Sequence, residues 1–226
     1  MSAWCWFRAG GEHGEPLSSG SPESRSPAKF RVGARELVVV GGLPGAGKST
    51  ALRSLGCPAP VAVLDSDQVY EALLPRVGRC VPYHLIRGVV HPVHYTRVVI
   101  SCARFPGPVV VHMPATRGVA RVLLVLLAAV TGRSTTLLWL DVSPGSALEG
   151  QFARGRVIKA RTFVRHVRRA RRARRVMQAF DALFGWRRLR VLTRAEIADG
   201  IQLIPQGEVA PYRPDGCLGR RDRPLS

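Results

Sequence analysis

Lysine is nearly missing from this chain: it occurs only at 29, 48 and 159, so 31 of the 34 basic residues are arginine. Acids are also scarce, 15 in all, and the net charge is +19. So uniform a preference for arginine reads first as an arginine-favouring coding composition. Nucleic acid, whose phosphates a basic surface attracts, is the secondary reading. There is no long hydrophobic run, since the longest uncharged apolar stretch, Val122 to Val130, is too short to cross a bilayer. That stretch reads as a buried helix, and no membrane partner is expected. The five cysteines, at 5, 57, 80, 102 and 217, are odd in number and include no C-x-x-C pair. They argue against a disulfide framework and fit a reducing compartment. Glu12, His13 and Glu15 interrupt the only place for an export signal, so a cytoplasmic location is expected.

What is present is enough for a core. Apolar residues make up 46% of 226 positions, which excludes global disorder and suits one α/β domain with ragged ends. Residues 1–34 are rich in Gly, Ser, Pro and Glu without an apolar period and read as a disordered leader. Residues 206–226 read as a flexible tail, which leaves 35–205 as the folded unit. Within it, β-type runs at 36–40, 61–65, 108–112, 136–141 and 188–192 alternate with helical patterns at 48–55, 67–74, 83–104, 117–131, 144–154 and 159–180. That alternation predicts a parallel sheet covered by helices on both faces, with ligands at the carboxyl ends of its strands.

The first of those carboxyl ends carries the most specific pattern in the chain. Val38-Val39-Val40 runs into Gly42, Leu43, Pro44, Gly45, Ala46, Gly47, Lys48, Ser49 and Thr50, which meets G-x-x-x-x-G-K-[ST]. Glycines let the main chain take positive φ and bring amide N–H groups onto phosphate oxygens. The helix that follows presents unpaired donors and a partial positive charge. Lys48 is expected to reach the β- and γ-phosphates and the Ser49 hydroxyl to hold Mg²⁺. The nine residues from Gly42 to Thr50 are therefore the expected binding loop for a nucleoside triphosphate, ATP with Mg²⁺.

After the second strand comes Asp65-Ser66-Asp67. A carboxylate here can take a proton from an acceptor hydroxyl or organise Mg²⁺, while Asp65 or Ser66 can equally cap a helix. Asp67 is the favoured functional residue, with Ser49, Asp65 and Asp67 as candidate metal residues. After the fourth strand, Asp141-Val142-Ser143-Pro144 leads into a helix ending Arg154-Gly155-Arg156. Arg154 and Arg156 are read both as arginine-finger candidates and as cations suited to a helix C-terminus.

The order P-loop, strand-D-S-D, strand-H-x-P-A-T and strand-L-D-V-S followed by a helix and R-G-R resembles the small P-loop kinases and AAA-type ATP-binding proteins related to polynucleotide kinase and zeta toxin. The resemblance implies a P-loop NTPase three-layer sandwich whose five parallel strands lie in the order 2-3-1-4-5. It also implies that Asp67 sits where the family has its acceptor-hydroxyl base, and that Arg154, Arg156 and Arg161 belong to a lid. Two positions depart from the family pattern: Tyr70 stands where an Arg is usual, and His112-Met113 where relatives often carry an acid.

Between Lys159 and Phe180, Phe163, Val167, Ala170, Ala173, Met177 and Phe180 form one apolar stripe on a helix otherwise dense in arginine. The charged side reads as a solvated face, and without interleaved aromatics for base stacking it argues only weakly for RNA. His84, His91 and His94 read as packing or surface residues, because no third ligand is suitably spaced for a metal. Three functions follow: a Mg²⁺-dependent kinase acting on an unidentified hydroxyl acceptor, a nucleotide-gated binding protein or ATPase with little kinase activity, and a nucleic-acid binder with a secondary P-loop.

Overall fold

The computed structural model describes residues 26–77, 83–153, 155, 157–179 and 185–206. In chain order the elements are β1 (Ala28–Gly33), β2 (Glu36–Gly42), α1 (Lys48–Arg53), β3 (Leu55–Gly56), β4 (Ala62–Leu64), α2 (Ser66–Val77) and α3 (Tyr83–Arg104). They continue with β5 (Val109–His112), α4 (Gly118–Val130), β6 (Ser134–Leu140), α5 (Pro144–Phe152), α6 (Ala160–Ala179), β7 (Arg188–Leu192) and β8 (Ile201–Gln206).

Five strands form one parallel sheet in the order β4-β5-β2-β6-β7. These are the five expected strands, and in chain order they stand second, third, first, fourth and fifth. The central strand β2 has all seven residues buried, as a parallel strand covered on both faces must. Leu37, Val39 and Val40 are inaccessible to solvent, alongside Val109, Val110 and Val111 of β5 and Leu137 of β6. The chain thus has an α/β P-loop fold, and its loops gather where the parallel strands end.

A second sheet was not expected. β1, β8 and β3 pair in parallel, with Ala28–Gly33 matched residue by residue to Ile201–Gln206 and Leu55–Gly56 to Ile201 and Gln202. The leader boundary at 34 is therefore too late, since residues 28–33 are structured, while residues 1–25 and 207–226 lie outside the described residues. The strand hides in the sequence because Phe30 and Val32 alternate with Lys29 and Arg31, and six residues of such alternation are swamped by the polar stretch before them. Likewise α1 stops at Arg53, two residues short of expectation, because Leu55 joins β8. Glu36, fully buried, ties the two layers: it accepts from the Gly33 amide at 2.6 Å, from the Thr136 hydroxyl and from Arg188.

The run Val122 to Val130 is helical but not buried as expected. Only Leu124 and Ala128 of the run face the core closely, while Val122, Leu123, Leu126 and Val130 are more than half exposed. An α-helix with a single neighbouring layer can bury just one stripe, so uniform apolarity does not imply uniform burial.

Candidate functional site

The loop between β2 and α1 is fixed by close approaches that only glycine permits. Gly45 has φ +91°, and a Cβ there would lie 1.9 Å from the Ala147 carbonyl oxygen of α5. Gly150 of the same helix is equally confined, with the Gly45 carbonyl 2.3 Å from where its Cβ would stand. Gln151, also on α5 and buried, donates to the Pro44 carbonyl at 3.1 Å and accepts from the Ile158 amide at 3.1 Å. Helix α5 thus clamps the loop from behind. Gly47 differs: it has φ +98° but nothing within 4 Å of its Cβ position, so open space lies in front of the first turn of α1.

Lys48 is buried and its ammonium donates to the carbonyls of Gly42 at 3.1 Å and Leu43 at 2.6 Å. Those bonds keep a buried charge satisfied inside the loop. Beside it, the Ser49 hydroxyl lies 3.4 Å from Asp67 Oδ2 and 3.2 Å from His112 Nδ1. His112 Nδ1 is in turn 2.6 Å from Asp65 Oδ1, which also accepts from the Asp67 amide at 3.0 Å. Burial alone would raise the Asp65 pKa, but His112, through its hydrogen bond and charge, the Asp67 amide and Ser49 outweigh it. Its carboxyl is held well below the usual carboxylate range.

The two aspartates therefore have different duties. Asp65 is committed to His112 and to the first turn of α2, which is the capping role weighed for it. Asp67 lies in a cleft of about 170 Å³ with Lys48, Ser49 and Gly45. Ser49 and Asp67 offer adjacent oxygen donors, the type that suits Mg²⁺, which commonly completes its shell with phosphate oxygens and water. Among the described residues no group of three or more His, Cys, Asp or Glu could hold a metal ion by itself.

The cleft opens into a larger cavity of about 480 Å³. Ser66, His91, His112, Pro114 and His166 line both. Its floor is the segment after β5, where Ala115 takes the left-handed φ of +49° and is nevertheless buried. The Arg121 guanidinium, donating to the Ala115 carbonyl at 2.7 Å, holds that conformation. A strained, buried loop at the end of a central strand is a frequent mark of a functional surface. His94 also lines this cavity and is 2% exposed, and neither of its ring nitrogens has a hydrogen-bond partner among the described residues. Burial, with the neighbouring charge of His112 acting the same way, pushes its pKa down to about 4. The His112 main chain lies close to it without reaching bonding geometry.

On the other side of the loop, Gly47, Thr50, Ala153, Arg194 and Ile197 surround a third hollow of about 370 Å³. Arg194 donates to the Gly45 carbonyl at 3.3 Å. It is presented by a tight turn in which Glu196 accepts from both the amide and the hydroxyl of Thr193, at 2.7 and 2.8 Å, and donates its own amide to Thr193 Oγ1 at 3.3 Å. That reciprocal pattern has the geometry of a capping box, here closing a turn, with T-x-x-E at 193–196.

A family model described as an AAA domain matches residues 37–178. The chain belongs to that family. Among solved structures, the PezAT toxin–antitoxin system of Streptococcus pneumoniae matches this AAA-domain chain at 14% identity and TM-score 0.50, over 79% of this chain and 72% of that one. A gluconokinase from Sinorhizobium meliloti 1021 matches at 16% identity and TM-score 0.45, over 73% and 86%. The tunicamycin resistance protein of Deinococcus radiodurans matches at 16% and 0.43, over 60% and 80%. At these identities the likeness concerns the fold alone. No curated protein matches the sequence at a significant level.

Of the expected site residues, the structure brings together Gly42 to Thr50, Asp65 and Asp67. Arg154 and Arg156 lie outside the described residues. Tyr70, in the position where an acceptor-contacting Arg is usual, packs with Val69, Ile86 and Val90 between α2 and α3. Met113, where an acid is usual, is 3% exposed and part of the main core. The position before it, His112, reaches Ser49 and Asp65. Arg194, Gln151, His94 and the cavity residues of α6 were not foreseen, and His91 and His94 were read only as packing or surface residues.

Proposed function

We propose that the protein is an ATP- and Mg²⁺-dependent phosphotransferase that moves the γ-phosphoryl group to a hydroxyl of a small acceptor. The observation that carries this reading is the shared lining of two hollows. The P-loop cleft and the 480 Å³ cavity meet at Ser66, His91 and His112, so a terminal phosphate on one side would face an acceptor on the other. In the proposed complex Lys48 exchanges the Gly42 and Leu43 carbonyls for phosphate oxygens, and the amides of the Gly45–Ser49 stretch surround the β-phosphate. Ser49 and Asp67 would hold Mg²⁺, which when bound neutralises charge on the transferring group. Asp67 borders the cleft and not the cavity, which favours the metal-organising role over direct contact with the acceptor hydroxyl. The nucleoside would lie along the hollow at Thr50, Arg194 and Ile197.

Single-turnover transfer or release of labelled γ-phosphate, with Mg²⁺ saturating, tests the reading. Asp67→Asn keeps shape but loses charge, so ATP affinity is expected to change little while the rate falls by roughly 10²-fold or more. Lys48→Ala should lower both. An unaltered rate in Asp67→Asn would sink its catalytic assignment, and an already slow turnover left unchanged would favour a nucleotide-gated binding protein.

A further inference from the structure

The 480 Å³ cavity has a chemical character that the phosphotransferase reading leaves unused. Arg117, at the start of α4, and Arg165 and Arg169, on α6, line it, together with four histidines and no Asp or Glu. Arg169 is half-buried, whereas Arg117 and Arg165 stand exposed at its mouth. Among the described residues none of the three guanidiniums makes an ion pair. Other arginines of this chain are committed: Arg133 bonds the carbonyls of Cys102, Phe105 and Gly107 at the end of α3, and Arg174 pairs with Asp141 at 3.0 Å. None of the three cavity arginines borders the P-loop cleft, so their charge faces a group beyond the γ-phosphate.

His94 supplies a second and independent sign. An imidazole with both nitrogens buried and unpartnered has lost its water without gaining a hydrogen bond, a loss that a ligand in the cavity would make good. The ring remains neutral at physiological pH, with one donor and one acceptor to offer. Thr162 of α6, whose hydroxyl accepts from Arg165 at 3.4 Å, and Tyr95 of α3 also line the cavity.

We infer that the acceptor is a small hydroxyl compound carrying an oxyanion, phosphate or carboxylate, which Arg165, Arg169 and Arg117 bind while His94 hydrogen-bonds its polar body. The volume fits a small molecule and not a folded partner. Guanidinium forks suit such anions bidentately, and the absence of any carboxylate in the lining removes the competing pair. The inference deepens the proposed function and rests on it for the word acceptor, though the anion site itself can be tested without chemistry.

The test fills the P-loop with a non-hydrolysable ATP analogue and Mg²⁺. Inorganic phosphate, and separately acetate, is then titrated while the imidazole C–H resonances of His94, assigned by their loss in His94→Gln, are followed by NMR. A saturable shift is expected, and its apparent dissociation constant should rise by roughly 10-fold or more in Arg165→Gln/Arg169→Gln. The affinity for the analogue should be the same in both proteins. Whichever anion saturates at the lower concentration identifies phosphate or carboxylate as the recognised group. Shifts that do not saturate, or that saturate equally in the double variant, overturn the inference and leave the nucleotide reading standing. Failure of the analogue to bind would bring down the nucleotide reading instead, and the acceptor assignment with it.

Discussion

At the P-loop end of the cleft the main chain makes the site: Gly45 sits under the Ala147 carbonyl, Gln151 holds Pro44, and Lys48 lies along the loop carbonyls. At the far end the site is made by long side chains, three arginines and four histidines drawn from α3, α6, the last residue of β5 and Arg117, which precedes α4. Backbone construction tolerates little variation, since Gly42, Gly45 and Gly47 place the loop amides with φ values that few residues adopt. Side-chain construction leaves the fold indifferent to what the cavity recognises. On the proposed reading, one end would serve a constant ligand, a triphosphate, and the other could change acceptor without changing the sheet beneath it.

The sharpest way to break that comparison is a single methyl group. Gly45→Ala has no room, with 1.9 Å to a main-chain oxygen of a packed helix, and its φ of +91° is one that alanine rarely takes. Loss of more than about 3 kcal/mol of stability and of measurable nucleotide binding is expected. Gly47→Ala meets nothing in the unliganded protein, so only the left-handed strain of about 1–2 kcal/mol applies. Its nucleotide affinity should still collapse, because the space in front of α1 is where phosphate would lie. Thermal melts with and without ATP analogue separate the two variants. Equal melting temperatures would show that α5 does not clamp the loop.

The acceptor end is probed by pH. Its buried His94 has a pKa lowered to about 4 from an ordinary 6.5, so the fold favours the neutral ring. The stabilisation is complete above 6.5 and declines as pH falls toward 4, where the folded protein also takes up the proton. The loss is on the order of 2–3 kcal/mol. Asp65, His112 and Arg97 are the charged neighbours that shift it. Urea midpoints measured at pH 7 and 4.5 should fall further in wild type than in His94→Gln, which cannot titrate. An identical fall in both proteins would mean that the ring is solvated.

How far this was legible follows the same division. Gly42 to Thr50 could be read directly, because close approach to phosphate demands glycine and lysine at fixed spacing. The central strands β2, β5 and β6 could be read because the unbroken apolar runs at 38–40, 109–111 and 137–140 have few other uses. β1 and β8 could not, since parallel pairing between residues 28–33 and 201–206 joins segments far apart in sequence, with only weak alternation in either. Asp65 and Asp67 were read as two carboxylates with separable duties. Their assignment needed His112, 47 residues away from Asp65, whose ring decides which carboxylate is already engaged. The cavity arginines stood in plain view as part of a charge-rich helix, yet nothing in a helical period distinguishes Arg165 and Arg169, which reach a cavity, from Arg168, which reaches water.

That last distinction yields the smallest expected effect. Arg168 is exposed, lines none of the three hollows of the site, and has Arg165, Arg171 and Arg172 as its i−3, i+3 and i+4 neighbours. Like charges at these spacings repel by a few tenths of a kcal/mol each, so Arg168→Gln should stabilise the protein by roughly 0.3–1 kcal/mol at low salt. The gain should shrink as salt screens the repulsion. Phosphoryl transfer should be unchanged, in contrast to any variant of Arg165 or Arg169 that weakens acceptor binding. Chemical denaturation at two ionic strengths, paired with the single-turnover assay, measures both. A destabilised Arg168→Gln, or one that transfers phosphate more slowly, would mean that the outer face of α6 belongs to the binding surface. The partner would then be larger than the cavity admits, and the polyanion reading of the arginine-rich helix would replace that of a small acceptor.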